Sequence, residues 1–252
     1  SDVCSSDLAS ASYDNTVKIW DIATGKPIQT LKGHQSAFTS VKFSPDGKTV
    51  ASASADKIVK IWDIATGKPI QTLEGHQGEV HSVVFSPDGK TIASASNDKT
   101  VKIWDVNTSK PIQTLKGHQN EVNSVVFSPD GKTIASASED ETVKIWDVNT
   151  GKLIQTLKGH QSKVYSVEFS PDGKNIASAS EKETVKIWDT ATGKLIQTPK
   201  RHQQHATSVE FSPDGKTIAL ASEYGMGYAT TMGKPIQTTT LKEKHHGDVT
   251  SV

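Results

Sequence analysis

The sequence predicts an all-β protein assembled from one repeated unit, and three observations carry that expectation. Trp20, Trp62, Trp104, Trp146 and Trp188 stand 42 residues apart, each followed by aspartate, and they are all the tryptophans of the chain. His34, His76, His118, His160 and His202 keep the same spacing, with glycine before the first four. Phe43, Phe85, Phe127, Phe169 and Phe211 each open an FSPDGK segment at that interval. The 252 residues equal six such periods, and a fixed period of this size marks a repeat architecture. No segment shows a 3.6-residue apolar period, so no helix is expected.

The unit at residues 75–116 shows what one period holds. Glu79 to Ser86 alternates apolar and polar residues with Val and Phe, the pattern of a half-buried strand. Pro87-Asp88-Gly89 then turns the chain, proline presetting φ and glycine supplying a positive one. Thr91 to Ser96 is a second strand of small and β-branched residues, and Asn97-Asp98-Lys99 turns it into a third, Thr100 to Trp104. Pro111 to Leu115 reads as the fourth, its proline near the strand start, where a missing N–H is tolerated.

Four short antiparallel strands per unit, Gly-His before the first and Trp-Asp ending the third, resemble the WD-repeat (β-transducin-like) family. The resemblance covers nearly the whole chain and implies a β-propeller of about six four-stranded blades. A sheet this small cannot bury both faces alone, so blades are expected to stack. Residues 36–74, 78–116, 120–158 and 162–200 read as complete blades. Residues 9–32 supply the last three strands of an earlier one, and Asp248 to Val252 the first strand of a later one. The two remnants are complementary, which allows either a closed six-bladed ring or an arc cut from a larger one. The near-identical repeats and truncated ends suggest a fragment of a bacterial protein.

Composition excludes several classes. Lys and Arg number 28 against 28 Asp and Glu, and Arg201 is the only arginine, so no nucleic-acid or anionic-membrane footprint is present. Cys4 is the only cysteine, leaving no internal disulfide or thiolate zinc site. No apolar run reaches the roughly 18–20 residues of a membrane helix, and no signal peptide is recognisable, so a cytoplasmic location is expected. At 34% hydrophobic residues the core must draw on Ser, Thr and Ala.

Two stretches depart from the repeat. Residues 1–8, SDVCSSDL, match a translated sequencing adapter and not the expected FSPDGKT. They are read as a non-native artefact, leaving residues 9–252 as the domain. After Ala221-Ser222 the chain runs EYGMGYATTMGKPIQTTTLKEKHHGDV where VKIWD should stand. That unit has lost its third strand or been scrambled by base-calling errors, and is expected to be the least stable.

Serine, histidine and aspartate recur together. The WD-repeat resemblance implies a buried Trp–Ser–His–Asp hydrogen-bond tetrad, carried here by His34, Ser52, Asp56 and Trp62, by His76, Ser94, Asp98 and Trp104, and by His118, Ser136, Asp140 and Trp146. Unit five keeps His160, Ser178 and Trp188 but has Lys182 in place of the aspartate, so Glu181 or Glu183 would have to reach in. Unit six has Leu220 at the serine position. A nucleophilic triad needs one exposed serine beside an oxyanion hole, not the same buried set in successive repeats, so no catalytic residue is expected. His245 and His246 are adjacent, cannot face the same way from a strand, and lack further ligands for zinc. Neither a metal nor a cofactor is expected. The sequon Asn107-Thr108-Ser109 is read as coincidental.

Binding information is expected where the repeats differ. Positions flanking the first apolar residue of the first strand give Ala37/Thr39, Glu79/His81, Glu121/Asn123, Lys163/Tyr165 and His205/Thr207. The position before the tetrad aspartate gives Tyr13, Ala55, Asn97, Glu139, Glu181 and Glu223. In the family these lie at the blade tops, the usual partner-binding face. Five glutamates make the set net acidic, with Tyr165 and His81 as anchors, so the expected partner is a basic peptide or protein segment. The function expected is a non-catalytic, monomeric protein-interaction scaffold. The alternatives are a sensor propeller of a larger bacterial signalling protein, fused to a kinase or NTPase, and an enzyme built on a propeller.

Overall fold

A computed structural model describes residues 7–11, 15–182, 185–199, 206–222 and 228–231, and every regular element among them is a β-strand. Cys4, Tyr13, Glu183, His202, His205, Glu223, His245, His246 and Asp248–Val252 lie outside the described residues. The strands form six antiparallel sheets, each drawn from consecutive chain segments. Blade 1 comprises β1 (Asp7–Ala11), β2 (Thr16–Asp21) and β3 (Lys26–Lys32). Blade 2 comprises β4 (Phe38–Phe43), β5 (Thr49–Ser54), β6 (Val59–Asp63) and β7 (Pro69–Leu73). Blade 3 comprises β8 (Val80–Phe85), β9 (Thr91–Ser96), β10 (Thr100–Asp105) and β11 (Pro111–Lys116). Blade 4 comprises β12 (Val122–Phe127), β13 (Thr133–Ser138), β14 (Thr142–Asp147) and β15 (Leu153–Lys158). Blade 5 comprises β16 (Val164–Phe169), β17 (Asn175–Ser180), β18 (Lys186–Asp189) and β19 (Leu195–Gln197). Blade 6 comprises β20 (Ala206–Phe211), β21 (Thr217–Ser222) and β22 (Tyr228–Thr231). Blades 1 to 3 fall in one compact unit and blades 4 to 6 in a second.

Burial explains why each strand sits where it does. The second strand of a complete blade is buried along nearly its whole length: in β9, Ile92, Ala93, Ser94, Ala95 and Ser96 are all inaccessible. Small side chains let neighbouring sheets approach both faces of this strand, so alanine and serine build the core as composition required. Fourth strands are outermost and expose their first residues, Ile70 at 53% and Ile154 at 55%. In the first unit, Ala9, Val17, Ile19 and Leu31 of blade 1 cluster with Phe38, Val41, Val50 and Trp62 of blade 2. Ala51, Val59, Ile61 and Leu73 of blade 2 likewise meet Val80, Val83, Phe85 and Trp104 of blade 3. The second unit repeats this where blade 4 meets blade 5, through Val143, Leu157, Val164 and Trp188. Trp62, Trp104 and Trp188 therefore each fill the face of the preceding blade.

Two irregularities recur. Register slips between Ile61 and Trp62, so that Trp62 lies opposite Pro69 while Ile61 pairs with Gln71. Proline at this bulge forfeits no ladder bond, and Leu153 and Leu195 occupy it in blades 4 and 5. A second slip lies in the first strand, where Thr39, His81, Asn123, Tyr165 and Thr207 are the extra residues. Period-two alternation cannot reveal such a residue, because a bulge re-aims the side chain off the pleat.

Two departures from the regular blade occur in blades 1 and 6. Asp7 and Leu8, read as artefact, continue β1 in register opposite Asp21 and Trp20. Leu8 thus stands where Val50 stands opposite Trp62, although Leu8 is 39% exposed and Val50 is inaccessible. In blade 6, where the sequence was read as having lost its third strand or been scrambled, the backbone of Tyr228–Thr231 pairs as a third strand, with Thr230 opposite Ile218 at the tryptophan register.

The turns after the Trp-Asp pairs share one construction. Asp147 Oδ1 accepts from the Thr150 N–H at 2.7 Å and from its hydroxyl at 2.7 Å, and Gly151 follows at φ 66°. These bonds hold the Asp147 carboxyl below the ordinary carboxylate range, the Thr150 hydroxyl contributing most. In blade 3 the glycine is replaced by Ser109, held at φ 58°. Ser109→Gly is expected to raise stability by about 0.5–1 kcal/mol, read as a shift in urea midpoint at unchanged slope.

Candidate functional site

The residues common to the blades meet in one buried network. In blade 3 the Trp104 indole N–H donates to Ser94 Oγ at 2.8 Å. Ser94 Oγ lies 2.8 Å from His76 Nε2, and His76 Nδ1 lies 2.7 Å from Asp98 Oδ2. Chemistry assigns the hydrogens. Indole can only donate and a carboxylate only accept, so the serine hydroxyl donates to Nε2 and Nδ1–H donates to aspartate. The same set joins Trp62, Ser52, His34 and Asp56 in blade 2, and Trp146, Ser136, His118 and Asp140 in blade 4. Blade 1 retains Trp20 donating to Ser10 Oγ at 2.8 Å.

Aspartate does more than receive the imidazole. Asp98 Oδ2 also accepts from the Gln77 N–H at 3.0 Å, while Oδ1 takes the Thr100 N–H at 3.0 Å and its hydroxyl at 2.6 Å. One carboxylate thus ties the segment entering the first strand to the turn between the second and third. Burial alone raises the Asp98 and Asp140 pKa, but bonds from the histidine, threonine and glutamine outweigh it and hold both well below the ordinary range. His34 is pushed down by burial, only partly opposed by Asp56.

The glycine before each histidine completes the network. Gly117 sits at φ 155°, where only glycine is comfortable, and a Cβ there would lie 3.1 Å from the Trp146 ring. Gly33, Gly75 and Gly159 repeat this against Trp62, Trp104 and Trp188. In the sixth unit tryptophan is absent and Arg201 replaces the glycine.

Blade 5 departs from the pattern. Trp188 donates to Ser178 Oγ at 2.8 Å, and Ser178 Oγ lies 2.7 Å from His160 Nε2. His160 Nδ1 is buried without a hydrogen-bond partner. Glu181 does not fill the missing aspartate's role: its Oε2 accepts from Ser162 Oγ at 2.7 Å. Thr190 Oγ1 is the second buried polar atom without a partner among the described residues, at the position held by Ile64, Val106 and Val148 in other blades. Thr190→Val is expected to gain about 1 kcal/mol in chemical unfolding, since it removes an unsatisfied hydroxyl at nearly constant volume.

The variable residues fall into two groups. Glu79 is exposed and Glu121 half-exposed at the entry to β8 and β12. Bulged residues are partly committed: Asn123 Nδ2 donates to the Val164 carbonyl of the next blade at 3.0 Å, and His81 Nε2 is hydrogen-bonded to Asn97 Oδ1 in its own blade. Tyr165 is half-buried at the corresponding bulge. Lys163 Nζ meets Glu139 Oε1 at 2.8 Å, and that bond raises the lysine pKa. Glu139 and Glu181 therefore present less free negative charge than a count of glutamates indicates. Sequence reasoning missed Ser54, Ser96, Ser138 and Ser180, inaccessible serines two residues before the tetrad aspartate or its replacement. Ser96 Oγ donates to the Gly78 carbonyl at 3.1 Å and accepts from the Asp98 N–H at 3.1 Å. Their signal was recurrence at a fixed offset. Among the described residues no group of three histidine, cysteine or acidic side chains is placed to hold a metal ion. No helix there is long and apolar enough to cross a membrane.

Repeated antiparallel blades, three of them joined to their turns by a complete tryptophan–serine–histidine–aspartate network, define a β-propeller repeat protein. Residues 4–156 match the profile described as the echinoderm microtubule-associated protein second beta-propeller, and residues 151–189 and 193–225 match the WD domain, G-beta repeat. The chain belongs to the WD-repeat β-propeller family. It is 58% identical over 41 residues to the F-box-like/WD repeat-containing protein TBL1X of Mus musculus, which is 16% of this chain and 8% of that protein. It is 56% identical over 41 residues to Coronin-7 of Mus musculus, covering 16% and 4%. Against Ribosome assembly protein 4 of Chaetomium thermophilum it is 54% identical over 48 residues, covering 19% and 9%. Each match spans about one repeat, and the chain covers less than a tenth of these eukaryotic relatives.

Proposed function

We propose that this chain is a non-catalytic scaffold that binds a protein or peptide segment through its blade-top residues. One observation carries the reading. Serine, histidine and tryptophan recur with the same geometry in blades 2 to 5, while the positions of Glu79, His81 and Asn97 vary around them across the blades, to Glu121, Asn123 and Glu139 in blade 4 and to Lys163, Tyr165 and Glu181 in blade 5. The repeated set is committed to the fold. Each of Ser52, Ser94, Ser136 and Ser178 is inaccessible and already engaged by tryptophan and histidine, so none of these four is an exposed nucleophile.

Glu79 and Glu121 favour a basic segment by charge complementarity. We take the scaffold to act as a monomer, and a cytoplasmic setting agrees with one cysteine, which gives the chain no internal disulfide. A second reading makes the propeller a sensor module of a larger bacterial signalling protein. It rests on the identity of residues 82–96 with 124–138, a mark of recent duplication.

The test is capture of lysine- and arginine-containing peptides from a displayed library. Glu79→Lys combined with Glu121→Lys is expected to weaken capture at least about tenfold, the scale of 1.4 kcal/mol. Ile70→Ser on the outer strand should leave capture unchanged. Unaltered capture by the double variant would overturn the assignment of the face.

A further inference from the structure

We propose that the top of blade 5 is a binding site for one carboxylate group, held by His160 Nδ1 where other blades hold their own aspartate. The inference rests on blade 5 and does not depend on the blade-top reading above.

The sister blades specify the ligand. In blades 2, 3 and 4 the histidine Nδ1 meets a carboxylate oxygen at 2.7–2.8 Å. The same oxygen takes the following glutamine's N–H at 2.9–3.0 Å, and the second oxygen takes a turn N–H at 3.0–3.1 Å. Such a place suits a small, planar, two-oxygen acceptor; a tetrahedral phosphate has neither its size nor its shape.

Blade 5 keeps the receiving half of this arrangement. Ser178 and Trp188 hold the His160 ring as their counterparts do, so Nδ1 faces position 182. His160 is only 5% exposed, and Nδ1 has no partner. Gln161 follows it as Gln77 follows His76. Lys182 stands at the aspartate position but is an exposed residue, and Lys186 beneath it is buried. Exchanging an anion for a cation here also makes the surroundings favourable to a negative ligand. A buried donor without a partner costs free energy that an incoming carboxylate recovers.

Thermal unfolding of the full chain at pH 7 in sodium formate, against sodium chloride at equal ionic strength, tests the site. Formate is expected to raise the midpoint by about 2–4 °C and to shift the His160 ring nitrogens in NMR while those of His76 and His118 stay fixed. Lys182→Asp fills the place with the chain's own carboxylate and should abolish both responses. If that variant does not fold, Glu183→Gln serves instead and should leave both responses intact. A blocked aspartate, N-acetyl-aspartate N-methylamide, separates the two sources. Response to formate alone assigns the site to a free small carboxylate, and response to both assigns it to an acidic side chain of a partner. Equal midpoints in formate and chloride would overturn the proposal. So would a formate response that persists in Lys182→Asp, or one that is absent from wild type and appears only in Glu183→Gln.

Discussion

Trp104→Ala is expected to destabilise the chain by about 4–5 kcal/mol, near the upper end for a large buried aromatic. Trp104 is inaccessible and packs with Ala51, Val59 and Leu73 of the preceding blade, while its ring edge covers Gly75. Alanine opens a cavity at that sheet-to-sheet contact and strips Ser94 Oγ of its indole donor. Trp104→Phe refills much of the volume without restoring the N–H, so its loss should be near 2 kcal/mol, the scale of one buried polar defect plus imperfect packing. Urea unfolding followed by circular dichroism separates the two. Equal losses for both variants would mean that the indole N–H, absent from each, carries the whole effect, whereas no loss in Trp104→Phe would mean that packing alone matters and that the tetrad bond contributes nothing.

Lys182→Asp is expected to stabilise the chain by about 2–3 kcal/mol, because it gives the buried His160 donor a charged acceptor. The gain should depend on pH. Burial, and then the nearby Lys186 charge, push the His160 pKa down to about 3, whereas the ordinary value is 6.5. Between these values the unfolded chain binds a proton that the folded chain refuses. Stability is therefore complete above pH 6.5 and falls as pH is lowered toward 3, with a slope approaching about 1.4 kcal/mol per pH unit. A carboxylate at position 182 raises the folded pKa and flattens that slope. Asp98 and Asp140 do not obscure the comparison: their depressed pKa values keep their contribution in place above the ordinary 3.8. His34 adds a slope of the same sign to wild type and variant alike. Unfolding midpoints for the two chains from pH 7 to pH 4 should diverge as pH falls; parallel curves would contradict the account of blade 5.

The strands were legible because one period carries all their signals in phase. Pro87-Asp88-Gly89 and Asn97-Asp98-Lys99 bound β9, and the observed Thr91–Ser96 is the span read from sequence. Tetrad partners were legible through the family resemblance, and Lys182 as a fault because one unit could be compared with three others. What stayed hidden was local and geometric. Nothing in the alternation of Val122-Asn123-Ser124 announces a bulge, yet that bulge turns Asn123 toward the Val164 carbonyl. Glu181 looked able to replace an aspartate one residue away, but Ser162 takes its carboxylate. Counting glutamates overstated the acidity of the second unit, since the Lys163–Glu139 bond depends on loops of two blades meeting. The third strand of blade 6 was hidden because its residues match no other unit, which the sequence left open as a lost strand or a scrambled one, whereas backbone pairing with β21 tolerates Tyr228–Thr231.

The central claim is that repeated residues hold the blades while the variable blade-top residues do the binding. Quantitative capture of one basic peptide from the library, measured for wild type, for Glu79→Lys with Glu121→Lys, and for Ile70→Ser, tests it most directly. The account predicts at least about a tenfold weaker Kd for the double variant alone, with all three chains equally folded. Equal affinity in the double variant, or loss of affinity in Ile70→Ser, would contradict it.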